Sequence, residues 1–348
     1  MKTLLMTACA VLAAGTAHAQ VKIAPAKPYV EATDSGDSAN FDIIVTNPQA
    51  YAQTITQVEV FYLDATGETM WERRIDGNGV APSVETVPGR DLAAGTSKMV
   101  FNPFPVQPPS QHAASVKVKI TLNSDDHEAQ VLETTATLKA APDLDLRLPL
   151  AGKVWVWDGH DLLSHHRRWD YTHPAIDGFG FHHNAMRYSY DLVLVDDEGR
   201  MVVGDDKVNE NFVGWGAPLK APADGVVVEI QNNVPDNRQF DPSVLATNIN
   251  LVFGNYVVIK HRDGLYSVLG HVKQGSVTVK AGDTVKQGQV VAAVGASGSA
   301  MFPHLHYQLQ DGPTVDSEGV PHRFSGLTTT AGAPDSGWID SGDTVVSP

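Results

Sequence analysis

The chain is predicted to be all-β, with an N-terminal antiparallel β-sandwich followed by a second β-rich domain. Three observations carry this. Short runs rich in Val, Ile and Thr alternate with polar residues, the period-two pattern of half-buried strands. Turn residues punctuate those runs at close spacing. Strong helical periodicity is absent throughout.

The first 19 residues are expected to be a signal peptide and stand outside the fold. Lys2 gives a positive start, Leu4 to Ala14 is apolar but too short to span a bilayer, and Ala17-His18-Ala19 fits a small-residue cleavage site. The one cysteine, Cys9, lies inside this segment. A lipid-anchored reading of Cys9 is weakened because the apolar run continues past it. The mature chain then holds no cysteine, hence no disulfide and no thiolate nucleophile or ligand.

From 20 to 147 the strands predicted are 41–46 (FDIIVT), 57–63 (QVEVFYL), 115–122 (SVKVKITL) and 132–138 (LETTATL), with turns at 64–67 and 123–126. Strands this close, without helical pattern between them, suggest a sandwich of immunoglobulin-like type. His112 and His127 are isolated there and read as exposed polar residues. Residues 140–149 read as the connector. In the second domain, 148–348, the predicted strands are 190–195, 225–230, 255–260, 266–269, 289–294 and 306–309. The tail from Gly312 is rich in Ser, Thr, Gly and Pro and reads as loop, with Val345-Val346 as one edge strand.

Net charge restricts the partners. The 348 residues carry a formal charge of −15, and loss of Lys2 makes it −16, with 24 basic against 40 acidic side chains. That argues against nucleic acid. No segment after the signal has the ~18 uninterrupted apolar residues of a membrane span.

The histidines are unevenly spread. His160, His165, His166, His173, His182 and His183 fall within 24 residues, and His261, His271, His304 and His306 follow. An exported chain without cysteine that needs a metal must use imidazole and carboxylate, both of which zinc accepts. The sharpest local feature is His304-Leu305-His306. On a strand, residues two apart share a face, so both imidazoles would point into one cleft. A tight glycine turn, 295–298 (GASG), precedes it, and Pro303 fixes the start of the strand.

Three segments together resemble the LytM/lysostaphin-type zinc metallopeptidases. The first is 294–307 (VGASGSAMFPHLHY), similar to the family's glycine turn and H-x-H strand. The second is 254–260 (GNYVVIK) with 266–271 (YSVLGH), followed by the hairpin 279–290 (VKAGDTVKQGQV). The third is 187–192 (RYSYDL) with 215–225 (WGAPLKAPADG). The resemblance covers residues 150 to 312. It implies one zinc ion held by Asp191, His306 and an upstream histidine, with His271 and His304 as catalytic residues. The common pattern has a histidine four residues before the aspartate, where this chain has Arg187. Some members instead carry a histidine followed by two arginines. Ser164-His165-His166-Arg167-Arg168 matches that form and points to His166, with His182, His183 and His165 as rivals. Arg167 and Arg168 are expected to pair with Asp161 and Asp170. His160, His173, His261 and His322 are expected as surface or outlying groups, and Tyr188, Tyr190 and Trp215 as packing residues.

The activity implied is hydrolysis of peptide bonds by zinc-activated water in an exported, periplasmic or secreted peptidase. Its expected substrates are the stem or cross-link peptides of peptidoglycan. Nothing fixes the oligomeric state. Two alternatives stand beside this: an inactive LytM-like activator of other wall hydrolases, and a secreted peptidase for ordinary proteins. The 282–289 hairpin also resembles biotinyl or lipoyl carriers, but Lys286 does not occupy their modified position.

Overall fold

Alternation of apolar and polar side chains builds the N-terminal half as layered sheets. In the computed structural model, which describes residues 19–33, 36–104, 106–107, 113–162, 164–262 and 264–348, the strands Gln20–Ala24, Asp42–Thr46 and Ser97–Phe101 form one sheet. A second sheet joins His127–Thr137, Ser115–Ser124, Gln53–Leu63 and Thr69–Asp76, with Asp91–Leu92 on one flank. Ile43 and Val45 from the first meet Val58, Val60, Val116, Val118 and Ile120 from the second in one buried core. The intervening Glu59 and Lys119 face outward and pair at 3.6 Å. A third sheet contains Lys139–Ala140, Tyr29–Thr33, Gly36–Ala39 and Val106–Gln107. The signal-peptide reading, with Lys2 and Cys9, and the reading of His112 fall outside the described residues.

The predicted connector is more ordered than a linker. Lys139–Ala140 pairs in parallel with Tyr29–Thr33. Leu146, Leu148 and Leu150 then enter the core of the second half. Alternating leucines are too apolar to remain in water, so the segment runs along the second core instead of bridging solvent.

That second half centres on a nine-stranded sheet. Its order is Thr284–Val285, Gly225–Gln231, Asn255–Arg262, Leu265–Val272, Leu305–Gln310, Tyr190–Leu194, Gly152–Asp158, Thr344–Ser347, Thr328–Thr329. Each neighbouring pair is antiparallel. Pro218–Lys220 and Val290–Ala293 form a short separate pair, and their Leu219 and Val291 pack into the same core. The tail adds Thr344–Ser347 to Gly152–Asp158, so Val345 and Val346 lie in a strand with pairing on both sides. Among the described residues the one α-helix is Pro174–Asp177, and no helix is long and apolar enough to cross a membrane. The chain is all-β in its regular structure, as its alternation predicts.

A third apolar cluster joins the two halves. Ile44 and Met99 from the N-terminal sheets pack with Tyr171, Phe181, Phe253, Tyr256 and Val268.

Candidate metal centre

Register brings the central residues together. Leu305, Tyr307 and Leu309 enter the main core, while His306, Gln308 and Gln310 occupy the alternate positions and are also buried. His306 lies opposite Asp191 on one neighbouring strand and opposite Gly270 on the other. His304 precedes the strand, and its ring centroid is 4.8 Å from that of His271. His166 arrives from the segment after Gly152–Asp158. One ligand atom each from His166, Asp191 and His306 lie within 4.8 Å of one another, and all three residues are buried. The Asp191 Oδ1 atom is 2.9 Å from His306 Nδ1, 3.5 Å from His166 Nε2 and 3.4 Å from His304 Nε2.

The second nitrogen of each ring is committed elsewhere. His166 Nδ1 faces Gly159 O at 3.3 Å and Asp158 Oδ2 at 3.0 Å. His271 Nδ1 faces Ser297 O at 2.9 Å, and His304 Nδ1 faces Phe302 O at 2.8 Å. His306 Nε2 faces Gln308 Oε1 at 2.9 Å. Oxygens of this kind accept, so the ring nitrogens donate and the opposite nitrogens present lone pairs inward. Lone pairs of His166 Nε2 and His306 Nδ1 thus face an anionic oxygen at contact distance. Such an arrangement is repulsive unless a proton or a metal cation lies among them, and a nitrogen, nitrogen, oxygen donor set suits zinc. The outer partners fix tautomer and ring orientation in the manner of metal-ligand support.

Electrostatics agree with that donor set. Burial pushes the Asp191 carboxyl upward, but the charges of His166 and His304 and hydrogen bonds from His304 and His306 outweigh it and hold it well below the carboxylate range. Burial lowers His166, and burial with neighbouring His304 and His306 lowers His271 strongly. Burial also acts to lower His304, yet the Asp191 charge prevails and raises it. An ionised Asp191 carboxylate beside a neutral His166 imidazole is the protonation state that metal binding requires.

His271 also adopts a left-handed backbone, with φ 58°. For a non-glycine residue this is uncommon and clusters at functional sites. A cavity of about 160 Å³ opens here, lined by the five central residues and rimmed by Trp157, Met301 and Phe302. Two larger cavities, about 560 and 550 Å³, contain none of the five. Donor chemistry, not volume, singles out the smaller one.

Of the rivals for the upstream histidine, two lie away from this cavity and His165 lies at its rim. His182 and His183 are exposed and face Asp316. His165 is exposed and lies with His166 around Asp158 in a second metal-spaced group, its Nδ1 2.7 Å from Asp158 Oδ2.

Other expectations need correction. Arg167 does not pair with Asp161 or Asp170; it is fully buried against Asp42 of the N-terminal sheets. His160 and His322 are buried, because His160 meets Glu31 and His322 fills a space among Tyr190, Tyr307 and Phe324. Asp158, Ser297 and Gln308 escaped the sequence reading. Gln308 had a usable signal, since it lies two residues beyond His306 on the same strand face.

With this geometry in view, residues 211–317 match the description Peptidase family M23. The chain carries a Peptidase family M23 domain. The matched span of the M23 domain includes His271, His304 and His306, whereas His166 and Asp191 precede it. Among curated relatives, the cell division protein DipM of Caulobacter vibrioides is 33% identical over 106 residues, covering 30% of this chain and 14% of that protein. The peptidoglycan DD-endopeptidase ShyC of Vibrio cholerae is 34% identical over 93 residues, covering 27% and 17%. The chain therefore spans less than a fifth of either relative's length. Among solved structures, the catalytic domain of lysostaphin from Staphylococcus simulans aligns at TM-score 0.27 and 20% identity, covering 49% of this chain and 88% of that one.

Proposed function

We propose that this protein is an exported zinc endopeptidase that cuts the cross-link peptides of peptidoglycan. The convergence of His166, Asp191 and His306 is the observation that supports it most directly. The M23 domain and relatives named as peptidoglycan DD-endopeptidases support the substrate class.

Zinc held by these three residues supplies Lewis acidity toward a carbonyl and lowers the pKa of water from about 15.7 toward ~7. The chain's own residues do the rest. His271 presents Nε2 to the cleft and takes or returns a proton while Ser297 O holds its other nitrogen. His304 directs Nε2 inward and, when protonated on both nitrogens as the Asp191 charge favours, donates to the developing oxyanion. Trp157 and Phe302, in edge contact at 4.9 Å, cover one side of the cleft and exclude water.

The test is zinc stoichiometry of the purified mature chain, together with digestion of sacculi and of casein. One zinc per chain and release of peptides from sacculi, with casein intact, is the expected result. Absence of both zinc and turnover identifies a non-enzymatic binding protein; casein cleavage without sacculus cleavage identifies a general peptidase.

A further inference from the structure

We propose that the N-terminal sheets are part of the metal centre's support, with Arg167 as the positioning residue that holds the His166 loop. This rests on the reading of His166 as a ligand. Among the described residues between Asp158 and Tyr190 the backbone forms no strand; its regular elements are Pro174–Asp177 and the 3-10 turn Ala185–Tyr188. No sheet ladder therefore fixes His166 relative to Asp191 and His306. Side chains must do so. Within its own half, Asp158 holds the His166 ring, and Asn184 Nδ2 donates to His166 O at 3.1 Å.

The next residue reaches into the other half. Arg167 Nε donates to Asn40 Oδ1 at 2.8 Å. One terminal nitrogen donates to Asp42 Oδ1 at 3.4 Å; the other reaches Phe41 O at 3.3 Å and Asn102 O at 3.4 Å. All four acceptors belong to the N-terminal half, at or just beyond the ends of its strands. A planar guanidinium read from several directions fixes orientation as well as distance, which an ammonium cannot reproduce. Asp42 also ties the second ligand's approach, because its Oδ2 lies 2.8 Å from an Arg187 terminal nitrogen. Arg187 stands four residues before Asp191, where the usual pattern has a histidine, and its Nε donates to Glu318 at 2.6 Å. One fully buried carboxylate thus anchors the segments that deliver both His166 and Asp191. The arginine that fills the usual ligand position has become a strut for the metal site.

A merely adhesive junction would stabilise the fold without tuning the metal. Chelator competition on the full mature chain separates the two, with zinc affinity as the readout. Arg167→Lys keeps a charge facing Asp42 but loses the fork. It is expected to weaken zinc about 10–100-fold while the zinc-free chain still unfolds in one cooperative transition. Met99→Ala trims the apolar cluster across the same junction without removing an Arg167 acceptor, and is expected to leave zinc affinity at the wild-type level. Should Arg167→Lys fail to fold, Asn40→Ala removes a single acceptor and is read the same way, with weaker zinc binding expected. His166→Ala separates the two readings. If it binds zinc like the wild type, the metal-centre assignment fails. If it loses zinc while the folded Arg167 or Asn40 variants bind normally, the support role alone is overturned. Equal weakening by Met99→Ala also overturns it.

Discussion

Gln308 shows how one side chain holds a candidate ligand, His306, in a single orientation. Its Oε1 accepts from His306 Nε2 and from Ser189 Oγ, and its Nε2 donates to Gln310 Oε1. This fixes which His306 nitrogen carries the proton. Gln308→Leu preserves volume but frees the ring, so zinc affinity should fall about 10–100-fold in a chain that remains folded, as chelator competition would reveal. His271 acts differently: it contacts neither Asp191 nor His166 but faces the same cavity. His271→Ala is expected to keep stoichiometric zinc and lose about 10²–10⁴-fold in peptide release; full activity with metal bound would refute its role. His304 and His306 were legible because strand alternation is a local rule. His166 needed the resemblance, since nothing in a loop's spacing tells which of several histidines turns inward.

At the scale of elements, two backbones meet without side chains between them. Gly254, at φ +65°, and Gly298, at φ +68°, lie so close that a Cβ on Gly298 would stand 2.2 Å from Gly254 N. The contact seats Ser297, whose Oγ accepts from Asn255 N and donates to Val272 O while its carbonyl takes the His271 ring proton. Gly298→Ala meets both a forbidden volume and an unfavourable φ. It should destabilise by more than about 1 kcal/mol in urea titration and lower turnover by displacing His271. The glycine turn itself was visible in the sequence; its partner at Gly254, 44 positions away, was not. The strand Gly152–Asp158 was legible in principle, for Val154 and Val156 are fully buried and alternate with Trp155 and Trp157.

For the whole molecule, buried titratable groups set the response to acid. Burial lowers His322 to about 3, with His160 adding to the effect and the bond to Val320 O opposing it. The unfolded chain binds that proton near pH 6.5, so it holds more protons than the fold between about 3 and 6.5. Stability is therefore present above pH 6.5 and lost as pH falls through this window. For the zinc-free chain, His322→Phe should remove about one proton of slope, or ~1.4 kcal/mol per pH unit, in unfolding titrations between pH 6 and 4. An unchanged slope would show that His322 is not the group responsible. The division into strand-rich halves came from composition and alternation alone. Their joining did not, because Asp42 and Arg167 are separated by 125 positions and no local pattern marks two charges that pair only after both halves fold.

The last strand, Thr344–Ser347, occupies the outer side of Gly152–Asp158. Without it, that strand's unpaired amides and carbonyls would offer a template to any other extended chain. Trimming the final residues would therefore do more than shorten a tail: it would create a sticky border two strands from His306, open to self-association.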